Sequence, residues 1–136
     1  MKMFRRMAGL ILVFSFLLAT SAFAATRASE QIRSYSISVT ANRGGEIAIE
    51  VSVSALGLMK QIGVEEIRIY ENGTRLVENL SKDDSGMSKK SATSYANTIF
   101  FDGVSGTQYR VEVSVFAEDM NGSSDSRSKT VTLTAR

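Results

Sequence analysis

Residues 106–135 read GTQYRVEVSVFAEDMNGSSDSRSKTVTLTA. From Tyr109 to Val115 an apolar side chain takes every second place. A period of two puts Tyr109, Val111, Val113 and Val115 on one face of a strand and Arg110, Glu112, Ser114 and Phe116 on the other. A polar run containing Asn121-Gly122 then turns the chain. Alternation resumes with Val131 and Leu133 set between threonines. Two strands and a turn close the chain, and the same rhythm runs back through most of it.

Tyr35, Ile37 and Val39 alternate with serines, and Ile47, Ile49, Val51 and Val53 alternate after the Gly44-Gly45 turn. Ile67 and Ile69 lead to Asn72-Gly73, a pair that tolerates positive φ at both central turn positions and so marks a hairpin. Strand character follows at 75–80, 95–101, 109–117 and 127–134. Seven short strands at regular spacing predict an all-β fold, a single antiparallel seven-stranded β-sandwich over 32–136. Its expected core is Ile37, Val39, Ile47, Ile49, Val51, Val53, Ile67, Ile69, Ile99, Phe101, Val111, Val113, Val131 and Leu133. The polar stretch 81–94 reads as loop. So does 55–64, ALGLMKQIGV, between the second and third strands. Its Leu56, Leu58, Met59 and Ile62 either fold over one end of the sandwich or form a contact surface, with Leu58 and Met59 as its candidate residues.

The first 24 residues have a different grammar. Lys2, Arg5 and Arg6 precede an apolar run from Met7 to about Ala19, and Ala22-Phe23-Ala24 follows. These are the three parts of a secretory signal peptide. The apolar run is shorter than the roughly 20 residues of a spanning helix. Cleavage is expected between Ala24 and Ala25, leaving a linker over 25–31 and a secreted, extracellular protein that meets the membrane only through the leader before cleavage. That cut removes three basic residues and no acidic one, leaving 13 basic against 14 acidic residues. Such a balance gives no overall field for nucleic acid or an anionic membrane. With no cysteine, the core is held by packing alone and there is no lipidation site after the leader. With no proline, no proline-containing wall-sorting motif is present, and a released protein is expected.

Val104-Ser-Gly-Thr-Gln-Tyr109-Arg-Val-Glu-Val resembles the fibronectin type III motif in which a Gly-Thr turn and a tyrosine open strand F. The resemblance implies an immunoglobulin-like sandwich with a tyrosine corner, the Tyr109 hydroxyl bonding to backbone near Val104. The run 117–128 is similar to that family's F–G loop. The family's tryptophan and turn prolines have no counterpart, since the chain has neither residue. In layout and short phrases, among them SYSISVTA and QIGVEEIRIYENG, the whole chain also resembles small secreted proteins of Gram-positive bacteria. No catalytic motif comes with that resemblance.

The chain has no histidine and no cysteine, which removes histidine-based acid–base catalysis, Ser-His-Asp and Cys-His nucleophiles and nearly every zinc site. Paired carboxylates could still hydrolyse a glycoside, but Glu65-Glu66 and Asp83-Asp84 are sequence neighbours, which point to opposite faces on a strand. Asp119, Asn121 and Asp125 share one loop with Gly122; the letters suit either calcium or ordinary turn chemistry. No cofactor is implied. Parity turns Tyr70, Phe100 and Phe116 outward. Tyr70 and Phe116 fall on one sheet of a fibronectin-like arrangement and could present a shared face, with Phe100 on the other sheet. The chain therefore reads as a non-catalytic module that binds a protein or glycan at the cell surface or in the extracellular matrix. The alternatives are a self-associating structural subunit using strand edges that no proline blocks, and a carboxylate-based hydrolase or accessory domain.

Overall fold

The computed structural model describes residues 30–136; the expected leader, its cleavage point and most of the 25–31 linker lie outside them. Six strands form one antiparallel sheet curled into a half-barrel. They are β1 (Ile32–Ala41), β2 (Glu46–Glu71), β3 (Arg75–Ser81), β4 (Ser88–Asp102), β5 (Gln108–Glu118) and β6 (Ser124–Thr134). The hydrogen-bonded order is β1-β2-β5-β6, and β3 and β4 also pair with β2.

Two expectations are corrected here. The seven-stranded, two-sheet count becomes six strands in a continuous sheet, because 55–64 is strand and fuses the expected second and third strands into β2. The expected loop 81–94 shrinks to a turn, because β4 begins at Ser88. At about 3.3 Å per residue a straight 26-residue strand would run to roughly 85 Å, so β2 must bend. It does so at register shifts between Ser54 and Met59 on the β4 side and between Val64 and Glu66 on the β5 side. A bulge adds bend and twist, and here the bends supply the curl. The first half of β2 lies between β1 and β4, with Ile49 opposite both Val39 and Ile99. The second half lies between β5 and β3, with Ile67 opposite Val113 and Leu80.

The concave face is the core. Ile47, Ile49, Val53, Ile62, Val64, Ile67, Val111 and Val115 are buried there, each worth about 1.5–3 kcal/mol of apolar burial. Val39, Ile99, Phe101 and Leu133 pack against it half-buried, and Val131 is also half-buried. Met59, Met87 and Tyr95 join it from segments read as loop or as its border. The β3–β4 turn is held down by backbone bonds: Val64 N–H donates to the Met87 carbonyl (2.7 Å) and Lys82 N–H to the Glu65 carbonyl (3.0 Å). The Tyr95 hydroxyl donates to the Gly86 carbonyl at 2.7 Å. The turn crosses so close to β2 that a Cβ on Gly63 would stand 2.4 Å from the Met87 carbonyl oxygen.

At one corner the Tyr109 ring is buried and meets Phe101 edge-on, centroids 5.4 Å apart. Its hydroxyl oxygen accepts the Val104 N–H at 2.8 Å. The gap between the sheet's two ends, β1 and β6, is bridged by side chains. Asp125, Arg127 and Lys129 share the inner parity of Val131 and Leu133, pairing with Ala117, Val115 and Val113. The Lys129 ammonium donates to the Ile37 carbonyl (3.0 Å). One Asp125 oxygen accepts the amides of Gln31 (3.0 Å) and Ile32 (3.1 Å).

Candidate functional site

Tyr70 and Phe116 lie on the convex side of the β2–β5–β6 half but do not share an exposed face. Tyr70 pairs with Arg110 and Gly63 with Phe116, which sets them six residues apart along β5, about 20 Å. Tyr70 is half-buried, with the Arg110 guanidinium 4.4 Å above its ring; Arg110 is itself held by the Gly73 carbonyl (3.0 Å). Phe116 is buried, with the Lys82 ammonium 5.4 Å from its ring centroid. Parity placed its ring on the convex side, but the bare Cα of Gly63 and the turn carrying Lys82 leave it no solvent. Between the two aromatics lie the ion pairs Arg68–Glu66 and Arg110–Glu112.

Leu58 and Met59 part company for the same reason that all strand neighbours do. Leu58 is 54% exposed and Met59 3%, so Met59 is a core residue and only Leu58, with the exposed Leu56, remains a surface feature. The Asp119 loop is closed by its own carboxylates. Asp119 Oδ1 accepts the amides of Asn121 and Ser123 at 2.9 and 3.0 Å, and Oδ2 takes the Gln31 side-chain amide at 3.2 Å. Asp125 is engaged by β1 and by Arg127. Burial pushes the Asp125 carboxyl up, but the Ile32 amide, Arg127 and the Gln31 amide together outweigh it and hold it below the usual carboxylate range. These oxygens face protein donors, the arrangement of a turn and a clamp. Of the candidate carboxylate pairs, Glu65 is exposed at the β2 bulge while Glu66 is paired with Arg68. Asp84 accepts the Ser81 amide at 2.7 Å.

A different surface stands out on the convex side of the β1–β2–β4 half. The register lines up Thr40–Ala48–Phe100, Ser38–Glu50–Thr98, Ser36–Ser52–Ala96 and Ser34–Ser54–Ser94. Eight of these twelve residues carry hydroxyls. The short side chains leave a shallow concavity of about 640 Å³ whose lining includes Ser36, Glu50, Ser52, Thr98 and Phe100. Phe100 is 60% exposed. Its cross-strand partner is only a methyl group, Ala48, so aromatic cross-strand pairing does not account for it. Among the described residues no ion pair or side-chain hydrogen bond engages Glu50 or the hydroxyls of Ser36, Ser52 and Thr98. The sequence signal was the serine alternation of β1 read together with the outward parity of Phe100; the pairing that joins them is long-range. A second concavity of about 320 Å³ is lined by Glu65, Glu66, Arg68, Glu112 and Ser114; Glu66 is paired with Arg68 and Glu112 with Arg110, while Glu65 is exposed at the bulge.

No protein-family model and no curated protein matches this chain.

Proposed function

We propose that the chain is an exported, non-catalytic module that binds an extracellular protein or glycan through the convex face of β1, the first half of β2 and the end of β4. One observation carries this reading: an exposed phenyl ring, Phe100, stands beside a carboxylate and three hydroxyls that have no side-chain partner among the described residues. Aromatic residues are enriched at binding surfaces relative to the rest of the protein surface. The concavity's lining holds one carboxylate, Glu50, where glycoside hydrolysis uses two; this supports binding over turnover. The fold would be a variant of the fibronectin type III sandwich, with β1, the start of β2 and the end of β4 as one layer and the remaining strands as the other. The pairing order and the Tyr109 corner support that finer reading.

The rival reading, a self-associating subunit, needs open strand edges. On β3 the Asn79 amide is met by the Glu78 carboxylate (3.3 Å), and on β4 the Thr98 amide by the Asn97 side chain (2.9 Å). Side chains on β6 occupy the β1 edge. Local capping of this kind blunts edges as proline does.

The test pairs glycan-array binding and pull-down from cell-surface fractions for the wild type and Phe100→Ala, with circular dichroism to confirm the fold. Binding lost in the variant is expected. Binding kept in Phe100→Ala but lost in Leu56→Ser/Leu58→Ser would move the site to the β2 bend and overturn the assignment. Intact mass of the released protein tests export, with Ala25 as the expected first residue; a species still beginning at Met1 would contradict it.

A further inference from the structure

We infer that the ligand of this face is a neutral saccharide, with Phe100 as the stacking platform and Glu50 as the central hydroxyl acceptor; this rests on the reading that the face is the binding surface. The first argument is the isolation of the aromatic. A protein-binding hot spot sits in an apolar core that excludes water. Phe100 has only Ala48 across from it and Thr98 two places along β4, so no apolar ring surrounds it. A single ring in a field of hydroxyls matches a ligand with one apolar C–H face and a polar rim. The positive C–H edges of a pyranose settle on the negative face of an aromatic ring.

The second argument is spacing. Residues two apart on a strand are about 7 Å apart and neighbouring strands about 5 Å. Glu50 lies one strand over and one pleat along from Phe100. A sugar ring stacked on Phe100 would therefore bring its hydroxyls, or those of the next unit, over Glu50, Thr98 and Ser52. Among the described residues these groups have no side-chain partner to give up.

The third argument is charge. Glu50 is the one charged residue of the lining, and no Lys or Arg belongs to it. A carboxylate accepts strong hydrogen bonds from hydroxyls and repels uronic acids, sulfated sugars and phosphates. The choice between neutral and acidic sugars is thus built into the face.

Calorimetric titration of the purified protein with N-acetylglucosamine, glucose and galacturonic acid trisaccharides tests the proposal. At least one neutral trisaccharide is expected to bind, with galacturonate much weaker at low salt. Phe100→Ala should weaken binding about five- to tenfold, the effect of losing one ring contact. Phe100→Tyr should retain it. Glu50→Gln should narrow the gap between neutral and acidic trisaccharides. Galacturonate binding as tightly as the neutral sugars would overturn the charge assignment. No binding of any trisaccharide at millimolar concentration, alongside a protein ligand lost in Phe100→Ala, would overturn the saccharide inference and leave the binding face standing. Saccharide binding unchanged in Phe100→Ala would overturn both.

Discussion

The Tyr109 hydroxyl and the Asp125 carboxylate tie chain segments together at opposite ends of the β5–β6 hairpin. Tyr109→Phe leaves the Val104 amide without its acceptor and should cost about 1 kcal/mol in a urea melt; an unchanged midpoint would remove the corner bond from the stability account. Asp125 holds the amides of Gln31 and Ile32, at the entry to β1, and a guanidinium. Hydrogen bonds to a charged group are worth about 1.5–3 kcal/mol, so Asp125→Ala should lower stability by about 2 kcal/mol. The pH dependence has a definite sign. The folded carboxyl titrates below its unfolded value, so its contribution is full above about pH 4 and is lost as pH falls through the folded value. The gap between wild type and Asp125→Ala should shrink in acid, and a gap that widened below pH 4 would contradict the assignment. Tyr109 was legible through the resemblance of its Gly-Thr-Gln-Tyr stretch to a tyrosine corner, whose partner lies within five residues. Asp125 was read as a turn or calcium residue because its partners, Gln31 and Ile32, lie 94 and 93 positions away.

The elements divide according to whether period two survives. β1 beyond its shift at Ile32/Ser34, the first half of β2, and β5 as far as Val115 keep the apolar alternation, and their inner faces were legible. β2 loses it between Ala55 and Val64 because it crosses from one side of the curl to the other, with register shifts at either end that reset which parity faces inward. ALGLMKQIGV therefore looked like a loop. Met59→Ala should cost about 2–5 kcal/mol, as for any buried side chain, whereas Leu58→Ala should stay within about 0.5 kcal/mol; equal effects would mean the segment is not a strand with two faces. Gly63→Ala drives a methyl into the Met87 carbonyl and should destabilise by about 1–3 kcal/mol, the range for overpacking, with early loss of amide-exchange protection at Val64 and Lys82. On β6 the alternation is strict but the inner face changes from charged to apolar along its length, Asp125, Arg127 and Lys129 before Val131 and Leu133. Hydrophobicity alone registered only the second half; the first half reads correctly once the free edge of β1 is in view.

Across the described residues as a whole, one bent strand carries both halves of the curl, and the convex sides of those halves differ in kind. The β2–β5–β6 side is charged and internally paired, and its two aromatics are covered. The β1–β2–β4 side is small, hydroxylated and open, with Phe100 uncovered. Sequence parity located each outward aromatic but not what lies on top of it, because the covering groups, Arg110 and the Lys82 turn, come from other segments. The capped edges predict a monomer in sedimentation velocity at tens of micromolar; a concentration-dependent dimer would favour the self-associating reading. The most direct test of the binding face is an amide chemical-shift map of isotope-labelled protein titrated with the neutral trisaccharides. Shifts are expected to cluster at 48–52 and 96–100, with residues 55–58 and 110–116 unmoved. Shifts centred on the β2 bend or the β2–β5 face would contradict it; no shifts at millimolar ligand would contradict the saccharide assignment of that face.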